Sequence, residues 1–136
     1  MSHREGANGA LTAGAIFAGL GVAAGALGSH ALRSALAPEQ LAAFETAVRY
    51  QMYHALALIA TGILMAGAEG AAFRFFRYAS FGFIAGIVFF SGSLYLLTMT
   101  AMRWPGPVTP AGGLCFLAGW VFFAAACRRR AASGVS

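Results

Sequence analysis

His30, His54 and Cys115 are the residues of this sequence whose types best suit zinc, copper or haem iron. They lie in different apolar stretches, so a shared site would need separate helices to bring them together. Metal sites that can be recognised from sequence carry short-range ligand pairs such as HxxxH or CxxC, and these residues form none. We therefore expect no metal and no cofactor.

A larger set of polar side chains gathers at one end of the apolar stretches, and we call it the outer cluster. Polar groups at membrane depth are rare and are functional candidates by default. In a structural interpretation they hydrogen-bond to one another and hold the helices together; in a functional one they serve a ligand. We favour the first. The members are His30, Glu45, Arg49, Gln51, His54, Ser91, Ser93 and Tyr95.

No residue set for catalysis accompanies this cluster. Ser91 and Ser93 lack the GxSxG context of a nucleophilic serine. Aspartate is absent and Glu45 is the only acid near the cluster, so paired carboxylates for acid–base chemistry are missing. We predict that the protein is not an enzyme.

The elements that would position these residues are four long stretches without a charged side chain. Only 10% of the residues are charged, against about 25% in soluble domains. A helix needs about 20 apolar residues to cross a bilayer. The sequence therefore predicts an all-α membrane protein, a compact bundle of four transmembrane helices in a single domain of residues 1–136. The spans are expected at about 10–30, 48–67, 78–99 and 109–127.

Small residues line the first and third helices at helical spacing. Such a line lets a neighbouring backbone come close, which is how helices associate in lipid. Gly21 and Gly25 also form a GxxxG pair. The predicted packing residues are Gly14, Ala18, Gly21, Gly25 and Gly28, with Gly82 and Gly86 on the third helix.

The second helix is expected to begin at Pro38 and to have no stop before Gly67. It would be longer than the hydrocarbon core, so its first part should be an amphipathic extension at the interface, whereas residues 1–9 should form a polar tail. Glu45 and Arg49 are spaced as an ion pair on the polar side of this extension.

His54 lies nine positions after Glu45, which places the two on opposite sides of a straight helix. His54 should therefore face the first or third helix. Its expected hydrogen-bond partner is Ser91, Ser93 or Tyr95.

Arginines at the ends of the spans predict the orientation. Six lie on the side of the termini (Arg4, Arg74, Arg77, Arg128, Arg129 and Arg130), against Arg33, Arg49 and Arg103 on the other. Since basic residues are retained on the inside, both termini should be cytoplasmic in a multi-pass protein of the bacterial cytoplasmic (inner) membrane. The scattered arginines predict no nucleic-acid partner.

Four segments resemble one family. They are residues 25–32 (GALGSHAL), 44–58 (FETAVRYQMYHALAL), 91–97 (SGSLYLL) and 106–113 (GPVTPAGG). Together they resemble the small membrane proteins known as domain of unknown function 423, which are related to mitochondrial transmembrane protein 256. The resemblance implies a four-helix integral membrane protein and no established activity. Its motif positions, which coincide largely with the outer cluster, are His30, Glu45, Arg49, Gln51, His54, Ser93, Tyr95, Pro107, Thr109 and Pro110.

Two classes of function remain. The first is an accessory or scaffold component of a membrane assembly, whose partners are the lipid bilayer and either a second copy or a larger complex. The alternative is an oligomeric transport unit for a small solute or an ion. Four helices enclose no wide path alone, so that unit would need a polar stripe facing a neighbouring subunit, such as Gln51, His54 and Thr61.

Overall fold

The computed structural model describes residues 3–100 and 105–133, and within these ranges all regular structure is helical. Helix α1 is His3–Leu27 and ends in a π-helical turn, Gly28–Leu32. Helix α2 is Pro38–Ala66. Helix α3, Gly70–Met99, contains a second π-helical turn at Ile87–Ser91, and α4 is Val108–Ser133. The predicted all-α class is confirmed.

Three of the helices are long and apolar enough to cross a membrane: His3–Leu32, Gly70–Met99 and Val108–Ala132. Helix α2 is not among them, because its first half carries charged and polar residues such as Glu45, Arg49 and Gln51. It nevertheless packs along α1, from Gly62 against Leu11 at one end to Gly28 against Phe44 at the other. The bundle therefore has the four long helices of an all-α membrane protein.

Helices α1 and α2 run antiparallel along a seam of glycines. A Cβ built on Gly14 would lie 2.6 Å from Ile59 Cγ1 and 2.9 Å from the Ala55 carbonyl oxygen. Towards one end of the pair Gly62 faces Leu11, and towards the other Gly21 faces Met52 and Gly28 faces Phe44. The predicted small-residue line thus lies against α2, with Gly25 near Val48 and Ala18 half-buried.

Helices α3 and α4 form the second antiparallel pair, and their backbones approach even more closely. A Cβ on Gly82 would lie 2.8 Å from Gly119 Cα and 3.0 Å from the Cys115 carbonyl oxygen. Gly86 lies under the ring of Phe116, and Gly112 lies against the backbone of Phe90 at the π-helical turn. The core between the two pairs is apolar and includes Leu58, Met65, Phe76 and Phe83, all fully buried.

Helix α1 begins before the predicted span. Residues 3–9, expected as a polar tail, are helical, and Gly6 and Ala7 are buried. The His3 ring stacks on Phe73 at 3.9 Å. Local polarity was misleading here, because Arg4, Glu5 and Asn8 lie on the exposed side of a helix whose other side packs on α2 and α3.

The first part of α2 belongs to the bundle. Phe44 and Ala47 are fully buried, whereas Glu45 and Arg49 are exposed, so the segment is amphipathic as predicted. No ion pair joins Glu45 to Arg49 in the described structure, and that part of the prediction is wrong. Arg103, which was used to predict the orientation, lies outside the described residues.

The Gly82 contact predicts a large effect from one methyl group. Gly82→Ala should destabilise the bundle by about 1–3 kcal/mol, because its Cβ meets only backbone atoms and the helices must move apart. Gly92→Ala is the matched control on the same helix, since its Cβ would meet nothing within 4 Å. Thermal unfolding in mild detergent measures both, and equal melting temperatures would show that the contact does not limit packing.

Candidate functional site

The structure divides the outer cluster into an exposed and a buried part. His30, Glu45 and Arg49 are exposed. Gln51 and His54 have exposed fractions of only 4% and 6%. Ser91 and Ser93 are also buried, and Tyr95 is half-buried. The cluster is therefore a set of buried polar contacts together with three exposed side chains.

Gln51 joins three helices. Its Nε2 donates to the Phe17 carbonyl oxygen of α1 at 2.8 Å. Its Oε1 accepts from the Tyr95 hydroxyl of α3, also at 2.8 Å. The Tyr95 ring also packs against the ring of Phe44 on α2, with 5.1 Å between the ring centroids, and this contact helps to hold the Tyr95 side chain in place. One side chain of α2 therefore sets the relative positions of α1, α2 and α3.

His54 connects α2 to α4. Its Nε2 lies 3.2 Å from the indole nitrogen of Trp120, and its Nδ1 lies 2.7 Å from the Tyr50 carbonyl oxygen. Indole N–H is only a donor, so Nε2 must accept, and Nδ1 must carry the ring proton and donate a hydrogen bond to the Tyr50 carbonyl oxygen. The ring also stacks on Phe116 at 3.5 Å. Both nitrogens of this neutral histidine are thus occupied.

The two serines tie the π-helical turn of α3 to its neighbours. Ser91 donates to the Ala47 carbonyl oxygen of α2 at 2.8 Å. Ser93 lies 2.6 Å from the Thr109 hydroxyl at the start of α4 and donates to the Phe90 carbonyl oxygen at 2.9 Å. The hydroxyls therefore fix the outer end of α3 against α2 and α4.

The predicted inward direction of His54 agrees with its burial, but its predicted partners are wrong. Ser91, Ser93 and Tyr95 bind other groups, and His54 binds Trp120 instead. The reason is rotational: Gln51 and His54 are three residues apart on α2, about 60° short of a full turn. Gln51 faces α1 and α3, whereas His54 faces α4.

Sequence reasoning missed Trp120 because it lies well inside the fourth predicted span rather than at an interface. A tryptophan at that depth still needs an acceptor for its indole N–H. His54 is one of the few side chains at membrane depth that can accept this hydrogen bond. The need of the Trp120 indole for an acceptor is therefore the signal by which the sequence could have revealed the pair.

Few buried polar groups of the described bundle are left without a hydrogen-bond partner. Thr61, like Ser80, donates to a carbonyl of its own helix. Among the side chains of residues 3–100 and 105–132, Arg77 Nε is the only buried nitrogen or oxygen without a hydrogen-bond partner. The same ranges hold no group of three His, Cys, Asp or Glu residues placed to share a metal ion, so His30, His54 and Cys115 do not meet.

Comparison with known proteins places the chain in a family. The profile described as "Protein of unknown function (DUF423)" matches residues 24–113. The chain belongs to the DUF423 family.

Similar proteins are named as membrane proteins. A UPF0382 membrane protein of Staphylococcus haemolyticus is 42% identical over 108 residues, which are 79% of this chain and 85% of the relative. YwdK of Bacillus subtilis is 39% identical over 113 residues, 83% and 90% of the two chains. The UPF0382 inner membrane protein YgdD of Escherichia coli is 35% identical over 115 residues, 85% and 86%. No solved structure matches.

Beside the buried contacts this DUF423 chain has an open groove, which we call the aromatic groove. Its volume is about 550 Å³. His54 and Trp120 form part of its wall, and both lie at the contact between α2 and α4. The lining residues are Tyr50, Tyr53, His54, Phe90, Pro110, Gly113, Leu114, Phe116, Leu117 and Trp120.

The Gln51–Tyr95 contact generates a stability prediction. Tyr95→Phe should lower the free energy of unfolding by about 1–3 kcal/mol, since it leaves the buried Gln51 oxygen without a hydrogen-bond donor. Gln51→Leu combined with Tyr95→Phe should cost less than the sum of the two single changes, because the double variant leaves neither group unpaired.

Tyr53→Phe is the control, because Tyr53 is 57% exposed and its hydroxyl has no hydrogen bond in the described structure. Unfolding of the wild type, Gln51→Leu, Tyr95→Phe and the double variant in detergent supplies the double-mutant cycle, and Tyr53→Phe is measured beside them. Strictly additive costs would mean that the hydrogen bond does not couple α2 to α3.

Proposed function

We propose that this protein is a non-catalytic accessory or scaffold component of a membrane assembly, and that a partner's transmembrane segment docks in the aromatic groove. The observation that carries the proposal is the internal use of the buried polar groups. Gln51, His54, Ser91 and Ser93 bind other helices or backbone of the same chain. Such contacts suit a rigid body that presents surfaces to others.

The aromatic groove is the surface best suited to a partner. Tyr53 and Leu117 on its walls are 57% and 64% exposed, so they project rather than pack inward. Leu114 and Val121, each 68% exposed, extend the same side of α4. Large, rigid aromatic side chains around a concave surface are typical of interaction sites.

The alternative of an oligomeric transport unit has less support. It requires polar atoms that face a neighbouring subunit. Gln51, His54 and Thr61, which formed the expected stripe, are buried and hydrogen-bonded within the chain. The exposed polar members of the outer cluster, His30, Glu45 and Arg49, remain as the groups that such a unit would use.

A crosslinking experiment tests the scaffold proposal. A photo-crosslinking amino acid at Leu117 should give a protein adduct in native membranes. Its mass should be twice that of this chain if the partner is a second copy, and the sum of the two masses if the partner belongs to a larger complex. Val22 is the control, since it is 64% exposed on α1, away from the groove. Protein adducts of equal yield at both positions, or adducts to lipid alone at Leu117, would contradict docking in the groove.

We further propose that both termini are cytoplasmic. The starts of α1 and α3 and the ends of α2 and α4 meet at one end of the bundle, where His3 contacts Phe73 and Arg130 Nη1 donates to the Leu64 carbonyl oxygen at 3.2 Å. Basic residues are retained on the cytoplasmic side of a membrane, and this supports a cytoplasmic position for the arginine-rich end.

Cysteine labelling of intact cells tests this topology, in a variant with Cys115 and Cys127 replaced by alanine. An impermeant thiol reagent should modify Ser34→Cys in the exposed turn between α1 and α2 and should spare Ser133→Cys at the end of α4. The reverse labelling pattern would refute the orientation.

A further inference from the structure

A cavity at the arginine-rich end of the bundle is independent of the outer cluster and of the aromatic groove. Its volume is about 800 Å³, and we call it the arginine cavity. Residues 67–72, which comprise the connection after α2 and the first turn of α3, line one side. Arg129, Arg130 and Ala132 near the end of α4 line the other.

The two arginines of the cavity are held by contacts with the bundle. Arg130 Nη1 donates to the Leu64 carbonyl oxygen in the last turn of α2 at 3.2 Å. The Arg129 guanidinium carbon lies 4.8 Å from the centre of the Phe75 ring. Side chains fixed in this way lose less conformational freedom when an anion binds between them.

The surroundings of the cavity favour an anion. Glu69 is the only acid among the described residues that line it. The first turn of α3 also lines the cavity, and its N–H groups have no acceptor within the helix. Guanidinium groups bind phosphate oxygens in a bidentate manner. A basic pocket between the ends of transmembrane helices is the kind of site that holds a phospholipid head group.

The depth of the cavity points to a lipid rather than a soluble anion. Helix α4 carries no charge from Val108 to Cys127 and then presents three arginines in succession. The cavity therefore lies where the apolar part of the bundle ends, at the level of the head groups. We propose that the arginine cavity binds the phosphate of an anionic phospholipid, with Arg129 and Arg130 as the phosphate-binding residues.

The test uses the full-length protein in nanodiscs at physiological salt and measures binding of phosphatidylglycerol and diphosphatidylglycerol against a phosphatidylcholine background. Arg129→Ala with Arg130→Ala should weaken binding by about tenfold or more, as expected for lost charge-assisted hydrogen bonds. Arg74→Ala with Arg128→Ala is the control, because it removes the same charge at the same end but from residues that do not line the cavity. Equal losses of lipid binding in the two double variants would overturn the proposal, because they would show that the arginines attract anionic lipid only through their overall positive charge.

Two further variants separate a lost site from a damaged fold. Ala132→Phe should reduce binding by filling the cavity without changing charge. Glu69→Gln should strengthen binding about three- to fivefold by removing a carboxylate from the lining, a gain that misfolding cannot produce. Unchanged binding in both variants would overturn the proposal.

Inorganic phosphate distinguishes the lipid from a soluble anion. In detergent, millimolar inorganic phosphate should not bind measurably to the delipidated protein, and it should not displace anionic lipid from protein that has retained it. Tight binding of inorganic phosphate that depends on Arg129 and Arg130 would assign the cavity to a soluble anion instead and would overturn the lipid assignment.

Discussion

Gln51 makes the contact on which the arrangement of the bundle depends. A carboxamide carries a donor and an acceptor on one rigid group, and here the donor binds the backbone of α1 while the acceptor binds Tyr95 of α3. In lipid, helices gain nothing by burying apolar surface from water, so such contacts decide which rotation of each helix is preferred. A rotation of α2 that freed Gln51 would expose an unpaired amide to an apolar surrounding.

Close glycine contacts and polar contacts have different roles in the bundle. Glycines bring α1 to α2 and α3 to α4, because each pair approaches where one helix has no side chain. Polar side chains and the apolar core then join the two pairs: Gln51 and Ser91 link α2 to α1 and α3, and His54 links α2 to α4. Helix α2 can carry these polar residues because it packs between α1 and α3. The same residues lower its hydropathy, and so α2 is not among the helices that are apolar enough to cross a membrane.

The sequence was sufficient for properties that depend on one helix at a time. Uncharged length predicted the helices, and glycine spacing predicted the residues that lie against α2. It was insufficient where two helices had to be positioned relative to each other. Tyr95 lies 44 residues from Gln51, and Trp120 lies 66 from His54. Their pairing depends on the rotation of α3 and α4, which the glycine contacts set and which no local pattern encodes. The early start of α1 was missed for the same reason.

The two ends of the molecule use their polar residues in opposite ways. At the outer end, buried amide, imidazole and hydroxyl groups bind one another or backbone, so they specify the fold and offer little to a ligand. At the other end, arginines are held by a carbonyl group and an aromatic ring around an open cavity. A charge at that depth is tolerable only near head groups or water. The residues that drew attention first in the sequence therefore hold the bundle together, and residues that seemed only to orient it surround the space in which a ligand can be held.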